Sequence, residues 1–365
     1  MAGRKIRLCC LLLALVLVLA GCGPGAGDGG ERKEKIVNDP ALEEQVEKLV
    51  ETMGFSGSIL VGDADGIRFA AGYGTADGEG TAANTALTSY AVGSITKQFT
   101  GAAILQLVEE GKLSLSDPLS RFFPDWPADR VVTVAQMLHM ESGLERDFWN
   151  IAYREYGYTT MAEADEFQLA PHTEEELWDL LLADELHFAP GSQYQYSNIN
   201  YYLLGRIVGL VSGMSYQDYI RQHFFEPLGL TGAGIDFPED IAPGHYAGER
   251  TTENADLYEG CGTISCNVYD LYDWTLALHG GEVLDKAAYR VMTTTSVGNY
   301  GCGLVINDQI IWHNGQLNGY NSYVGYNAET GIVLIVLSNS RTYEFHGTVA
   351  DFPADEMASL LGNKL

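Results

Sequence analysis

Positive charge is what this 365-residue sequence has little of: 21 lysines and arginines face 49 aspartates and glutamates, for a formal net charge of −28. A surface of that sign repels phosphate backbones and anionic headgroups, so nucleic-acid binding and a purely electrostatic hold on a membrane are both excluded. Cysteine is also sparse. Of six, Cys9, Cys10 and Cys22 fall in the amino-terminal leader, and Cys261, Cys266 and Cys302 have neither a C-x-x-C pairing nor a His-rich neighbourhood. That pattern argues against zinc; with three thiols at least one stays unpaired, and buried, Gly-flanked free cysteine is a simpler reading than a disulfide. No metal or organic cofactor is expected. The apolar run Leu8 to Ala20 falls short of the about 20 residues that a membrane-spanning helix requires.

What is present is enough to fold: 46% of residues are hydrophobic and 11% aromatic. The first residues read as an address. Arg4, Lys5 and Arg7 precede the apolar run, which ends in "LAGC" at Leu19 to Cys22. This resembles a bacterial lipoprotein lipobox, which implies cleavage before Cys22, a lipid on its thiol and a protein exported to the outer face of a bacterial membrane; an ordinary secretory signal is the alternative. Residues 1–21 are thus expected to be a signal peptide and 22–40, Gly-rich and then charged, a flexible tether.

Beyond the tether, "PALEEQVEKLVETMG" has Leu42, Val46, Leu49 and Val50 at helical spacing behind a proline suited to a first turn. "GSILVGDADGIRFAAGYG" places two strand-like runs around Asp63 to Gly66, a hairpin; those aspartates could also suggest a calcium loop, but the later ligands of an EF-hand are missing. From Ser94 to Glu110 the pattern is apolar on most faces, as in a helix buried all round. Further helices are expected over 131–139, 174–184, 198–213, 215–226 and 268–280. Strand patterns return in "YGCGLVIND", "QIIWHNG", "YNSYVGYNAE" and "GIVLIVLSNS", with breaks that suit an antiparallel meander. The expected fold is α/β of the α+β kind: an antiparallel sheet domain from residues 41–90 and 285–365, flanked by N- and C-terminal helices, with a mostly helical domain, 91–284, inserted.

Three short motifs carry the chemistry. Ser94 and Lys97 stand three apart at the start of the buried helix, so the amine can reach the hydroxyl. Burial drives a lysine toward its free-base form, and a serine needs such a base to become a nucleophile. Taken alone S-x-x-K is a weak signal, but an unpaired lysine inside that helix would be costly. Tyr196-Ser197-Asn198 opens a second helix with a phenol and a carboxamide; an S-x-N also occurs at Ser265 to Asn267, and either could be a plain cap. His313-Asn314-Gly315 lies on an expected strand, where the glycine permits close backbone approach. His279-Gly280-Gly281 has the same spacing but reads as a helix end. Ser142 has no base at a helical spacing and reads as structural.

In this order, S-x-x-K, Y-x-N and H-x-G resemble the serine β-lactamase and penicillin-binding-protein superfamily, in its class C β-lactamase-like branch. The similarity runs from about Gly54 to Ser340 and includes "LVEEGKLSLSDPLSRFFPDWP", "VTVAQMLHMESGL", "EPLGLTG" and "GCGTISCNVYDL". The resemblance implies a β-lactamase/transpeptidase-like fold and an acyl-enzyme on Ser94, with Lys97 as general base or proton relay and Tyr196 as partner base in deacylation. It further implies that Asn198 holds Lys97 and the substrate amide, and that the backbone N–H groups of Ser94 and Gln316 form an oxyanion hole beside Gly315. His313 departs from the K-T-G form. A lysine there is a permanent cation, whereas histidine is mostly neutral at pH 7, so His313 is expected to orient the site and to aid carboxylate binding only when protonated. The expected activity is hydrolysis of a small-molecule or peptide ester, amide or β-lactam; the alternative is a lipoprotein of the same fold that binds penicillin or cell-wall peptides without turnover. The aromatics Phe148, Trp149, Tyr153, Tyr156, Tyr158, Phe167 and Trp178 could wall a substrate cleft, but cladding of the helical domain is the commoner use.

Overall fold

The computed structural model describes residues 39–78, 80–246, 249–251, 254–340, 343–345 and 348–350. The leader, Cys22 and most of the tether lie outside the described residues, as does any helix after residue 350. Among the described residues no helix is long and apolar enough to cross a membrane.

The first helix, Pro40–Met53, begins where the Asp39 carboxylate accepts the Leu42 N–H and ends at Gly54 in the left-handed conformation, with a φ of 61°. Its Leu42, Val46 and Met53 bury against one face of a hairpin, Gly57–Asp63 and Gly66–Tyr73, and meet Ile59, Val61, Phe69, Leu334 and Val336 there. The tip is a plain turn in which Asp63 accepts the Asp65 N–H and pairs with Arg68.

Alternation along the strands then decides what lies on the other face. Leu60 points opposite to Ile59 and Val61, and with Val333, Ile335 and Leu337 it joins the larger core under the helices. The antiparallel sheet has six strands in the order Gly66–Tyr73, Gly57–Asp63, Val333–Ser338, Tyr320–Asn327, Ile310–Leu317, Val305–Asn307. Its last four strands form the expected meander, and Ser58 pairs with Leu337, so the two ends of the described chain meet mid-sheet.

Against this layer lie the helices Thr96–Glu109 and Val268–Gly280, with Phe99 stacked on Trp274 at 3.8 Å between ring centroids. Where one helix was expected over 215–226, the chain runs as Tyr216–Ile220, a π-helical turn Arg221–Phe225 and Glu226–Leu228. The wider turn lets the consecutive Phe224 and Phe225 both reach Phe99, at 6.3 and 6.0 Å. Three helices were not expected: Phe148–Glu155, Met161–Leu169 and Lys286–Met292. The S-x-N at Ser265 to Asn267 is a cap, since Asn267 accepts the Asp270 N–H, and His279 precedes the left-handed Gly281 that ends its helix. Cys261, Cys266 and Cys302 are free and buried.

Candidate active site

The nucleophile candidate sits on a turn held open by glycine. Gly93, with a φ of 53°, starts a one-turn 3₁₀ segment, Gly93–Ile95, that runs into the buried helix Thr96–Glu109. From Tyr90 to Leu105, Ser94 is the only residue that is not buried. A side chain at Gly93 would stand 2.9 Å from the Gln316 backbone nitrogen, and one at Gly315 would collide with the Val92 carbonyl and the Ser322 hydroxyl. These two glycines let the edge of strand Ile310–Leu317 close down on the Ser94 turn. They bring the Gln316 backbone nitrogen close to the turn that carries Ser94.

Lys97 has no exposed surface, and its ammonium has three oxygens within hydrogen-bond reach: Ser94 Oγ at 2.9 Å, Asn198 Oδ1 at 2.7 Å and the Cys261 carbonyl at 2.8 Å. Burial lowers its pKa to about 8, with the Arg146 charge acting in the same sense and the Asp147 carboxylate against it. Tyr196 comes from the opposite side and donates its hydroxyl to the same Ser94 Oγ at 2.8 Å. Burial of that phenol raises its pKa well above the usual value, so Tyr196 holds its proton.

The second motif is positioned by its middle residue. Ser197 caps helix Asn198–Ser212 by accepting the Asn200 N–H, and its own hydroxyl donates to the Glu145 carbonyl at 2.6 Å. The Asn198 amide is thereby fixed, with Oδ1 accepting from Lys97 and Nδ2 donating to Asp147 Oδ1 at 2.6 Å. Asp147 is buried, which raises its pKa against the hydrogen bond from Asn198 and the nearby Arg146 and Lys97 charges. The loop carrying it is clamped by Arg154, which reaches Glu145 at 2.5 Å and Asp184 at 2.7 Å; His187 completes that cluster.

His313 has hydrogen-bond partners on both ring nitrogens, in keeping with the orienting part of its expected role. Its ring is 2% exposed; Nδ1 faces the Asn314 carbonyl at 2.5 Å and Nε2 faces the Tyr300 hydroxyl at 2.8 Å. A proton on Nδ1 donated to the carbonyl leaves Nε2 to accept from Tyr300, which is the neutral tautomer. Burial, reinforced by the Lys97 charge, takes its pKa down to about 3. That burial disfavours the protonated, carboxylate-binding form expected of His313. His313 instead holds Tyr300, whose ring packs edge-on against Tyr196 at 6.0 Å.

The structure thus brings Ser94, Lys97, Tyr196 and Asn198 into one hydrogen-bonded set, with Gly315 and Gln316 beside it and His313 behind it. Sequence reasoning missed Asp147, Tyr300 and the Cys261 carbonyl. Asp147 sits in the connecting segment just after "MESGL", while a carbonyl leaves no trace in a sequence. Of the aromatics considered as a wall, Phe148 and Phe167 are buried, Trp178 stacks on Phe123 at 4.9 Å and Tyr156 meets Phe167 at 6.4 Å. They clad the helical layer. Ser142, buried, accepts the Leu144 N–H and serves the backbone.

A family model described as Beta-lactamase matches residues 42–356. The chain belongs to the beta-lactamase family. Within that family it is similar to PbpX of Bacillus subtilis, which carries a penicillin-binding-protein name, with 27% identity over 320 residues, 85% of this chain and 77% of that protein. The octameric penicillin-binding protein homologue from Pyrococcus abyssi superposes with a TM-score of 0.70 at 27% identity, over 88% of this chain and 77% of that one. A D-amino acid amidase from Ochrobactrum anthropi gives 0.71 at 22% identity, over 89% and 98%, a likeness of fold. The family members share the β-lactamase/transpeptidase fold found here.

Proposed function

We propose that this family member is an extracytoplasmic serine hydrolase that forms and hydrolyses an acyl-enzyme on Ser94. The observation that carries the proposal is the convergence of Lys97 Nζ and Tyr196 Oη on a single hydroxyl oxygen, at 2.9 and 2.8 Å. A neutral lysine has two N–H groups and one lone pair. Asn198 Oδ1 and the Cys261 carbonyl take the two donors, so the lone pair is left for the Ser94 proton. With a pKa of about 8, roughly a tenth of Lys97 is neutral at pH 7.

In acylation Ser94 Oγ bonds to the substrate carbonyl carbon as its proton passes to Lys97. The oxyanion accepts from the Ser94 and Gln316 N–H groups. When the bond to the leaving nitrogen or oxygen breaks, Tyr196 gives that atom its proton and is reprotonated from Lys97. In deacylation water adds to the ester carbon and its proton enters the same chain, through Tyr196, while a proton returns to Ser94 Oγ. The bases end as they began.

The substrate is an ester, an amide or a β-lactam; the amidase on this fold gives amides a place in the test. Export and a lipid on Cys22 belong to the same proposal and rest on the leader sequence. The experiment incubates the purified full-length protein and its Ser94→Ala variant with p-nitrophenyl esters, D-amino acid amides, D-Ala-D-Ala peptides and a chromogenic cephalosporin. Product release and intact protein mass are followed together. Turnover lost in the variant supports the hydrolase. A stable adduct on Ser94 with no turnover favours a binding protein of the same fold, and neither signal on any substrate class removes the reading.

A further inference from the structure

The aromatic cladding of the helical layer does not close over. Between helix Glu174–Ala183, helix Asn198–Ser212 and the segment Phe122 to Asp125 it leaves a hollow of about 400 Å³, within the ~300–1,000 Å³ range of small-molecule sites. Its walls include Phe122, Phe123, Phe148, Trp178, Tyr202 and Leu203. The rings brace one another, Phe123 on Trp178 at 4.9 Å and Phe148 edge-on to Tyr202 at 5.0 Å, and none turns in to fill the space.

A second hollow, of about 130 Å³, adjoins the first and shares Glu174, Leu177, Tyr202 and Arg206 with it. Its lining is opposite in kind: the carboxylates of Glu174, Asp236, Asp256 and Glu259 surround the guanidinium of Arg206. Arg206 is largely spent on Glu174, whose two oxygens take both of its terminal nitrogens, and it stands 3.9 Å from Glu259. The Gln217 amide, a neutral donor, reaches Asp236 and Glu259 at 3.1 Å each. Burial raises the pKa of both acids in spite of that donor, as expected of carboxylates short of positive charge.

Tyr202 links the two halves. It is 7% exposed, and its hydroxyl has no hydrogen-bond partner among the described residues, whereas a buried phenol usually finds one. Its ring meets Phe148 in the aromatic half, while the charges that act on its oxygen are those of Arg206, Glu259 and Glu174. An unpaired acceptor therefore stands at the join, facing the acids.

We propose that the two hollows form one binding site for an amphipathic organic cation, whose apolar body lies among the aromatic rings and whose positive group is received by Asp236, Glu259 and the Tyr202 hydroxyl. Aromatic faces attract a cation as carboxylates do, so both halves favour it over a neutral or anionic ligand of the same shape. A chain with a net charge of −28 draws such a ligand in. The site stands apart from the acyl-enzyme reading, since neither hollow is lined by Ser94, Lys97, Tyr196 or Asn198.

The test titrates full-length protein by calorimetry with three probes that share one body and differ in charge: the ω-phenyl compounds phenylbutylamine, phenylbutanol and phenylbutyrate. The amine is expected to bind about 10-fold or more tightly than the alcohol, as for a charged group held by acids and rings, and the carboxylate not at all. Glu259→Gln and Asp236→Asn are made separately, so that one remains if the other does not fold. Each should cut the advantage of the amine several-fold and leave the alcohol unchanged. Trp178→Ala should weaken amine and alcohol together, and Ser94→Ala should change neither. Equal binding of amine and alcohol, an advantage that survives both charge-removing variants, loss of binding in the Ser94→Ala protein, or no measurable binding of any probe at millimolar concentration overturns the assignment.

Discussion

The cleft has two walls, and each buries a nitrogen base. On the helical wall Lys97 is fully enclosed yet its pKa falls only to about 8; on the sheet wall His313 is as deeply enclosed and falls to about 3. Burial opposes the charged form in both. What differs is the surroundings. Lys97 is met by three oxygens with the Asp147 carboxylate behind them, whereas His313 has one carbonyl, one phenol and the Lys97 charge itself nearby. One wall keeps a base whose pKa falls near neutral pH, and the other a ring whose burial favours the neutral form. A shared degree of burial therefore does not fix a shared role.

The hardest way to break this contrast is to remove the titrating base. Lys97→Met should lower kcat/KM at pH 7 by about 10³-fold or more, since the nucleophile loses its proton acceptor while the oxyanion donors remain. Steady-state turnover of an ester substrate checks this, with circular dichroism to confirm the fold. Gly315→Ala attacks the seam between the walls. The added methyl meets the Val92 carbonyl and the Ser322 hydroxyl, and the strand must retreat from the Ser94 turn. A loss of about 2–4 kcal/mol in urea unfolding, with reduced activity in the protein that stays folded, is expected.

The two bases also predict opposite pH windows. His313 is depressed when folded, so between its ordinary pKa of 6.5 and about 3 the unfolded chain binds the proton first and stability is lost as pH falls. From pH 7 to 5 this is worth up to about 2 kcal/mol, and His313→Gln should flatten the unfolding free energy by a comparable amount. Lys97 is depressed from 10.5 to about 8, so its linkage lies on the alkaline side, where stability rises with pH between those values. The smallest effect sharpens the electrostatics. Asp147→Asn keeps an acceptor for Asn198 but removes the charge that raises the Lys97 pKa, so the rising limb of kcat/KM, centred near 8, should move to lower pH by less than about one unit. A pH–rate profile showing no movement, or movement upward, would contradict the stated coupling.

Much of this was legible because the motifs fall where local chemistry and tertiary packing agree. The hairpin turn at Asp63 to Gly66, the proline-led first helix and the helix Val268–Gly280 all follow from caps and periodicity that need no distant partner. Ser94 and Lys97 stand out since an ammonium in an otherwise apolar helix needs a reason. The failures have the reverse character. Helix Phe148–Glu155 is two turns long, and its helical spacing of Phe148, Ile151 and Ala152 was passed over among the surrounding aromatics; the π-turn at Arg221–Phe225 packs its phenylalanines on Phe99 across the core, a contact that sequence does not display. A protonated form of His313 stayed open because a sequence shows the residue type and not its neighbours; Tyr300, its partner, lies on a separate segment.

The pairing of Ser58 with Leu337 bears on when the site comes into being. A strand near the start of the domain waits for one near its end, and the strand that presses Gly315 and Gln316 onto the Ser94 turn arrives just before it. Contacts so distant in sequence close slowly. During synthesis, and during passage through a membrane if the leader acts as read above, the S-x-x-K helix emerges long before its oxyanion partner. A chain cut just before Val333 lacks the strand that joins Gly57–Asp63 to Tyr320–Asn327, so the hairpin and the three-stranded piece carrying Gly315 and Gln316 are no longer one sheet.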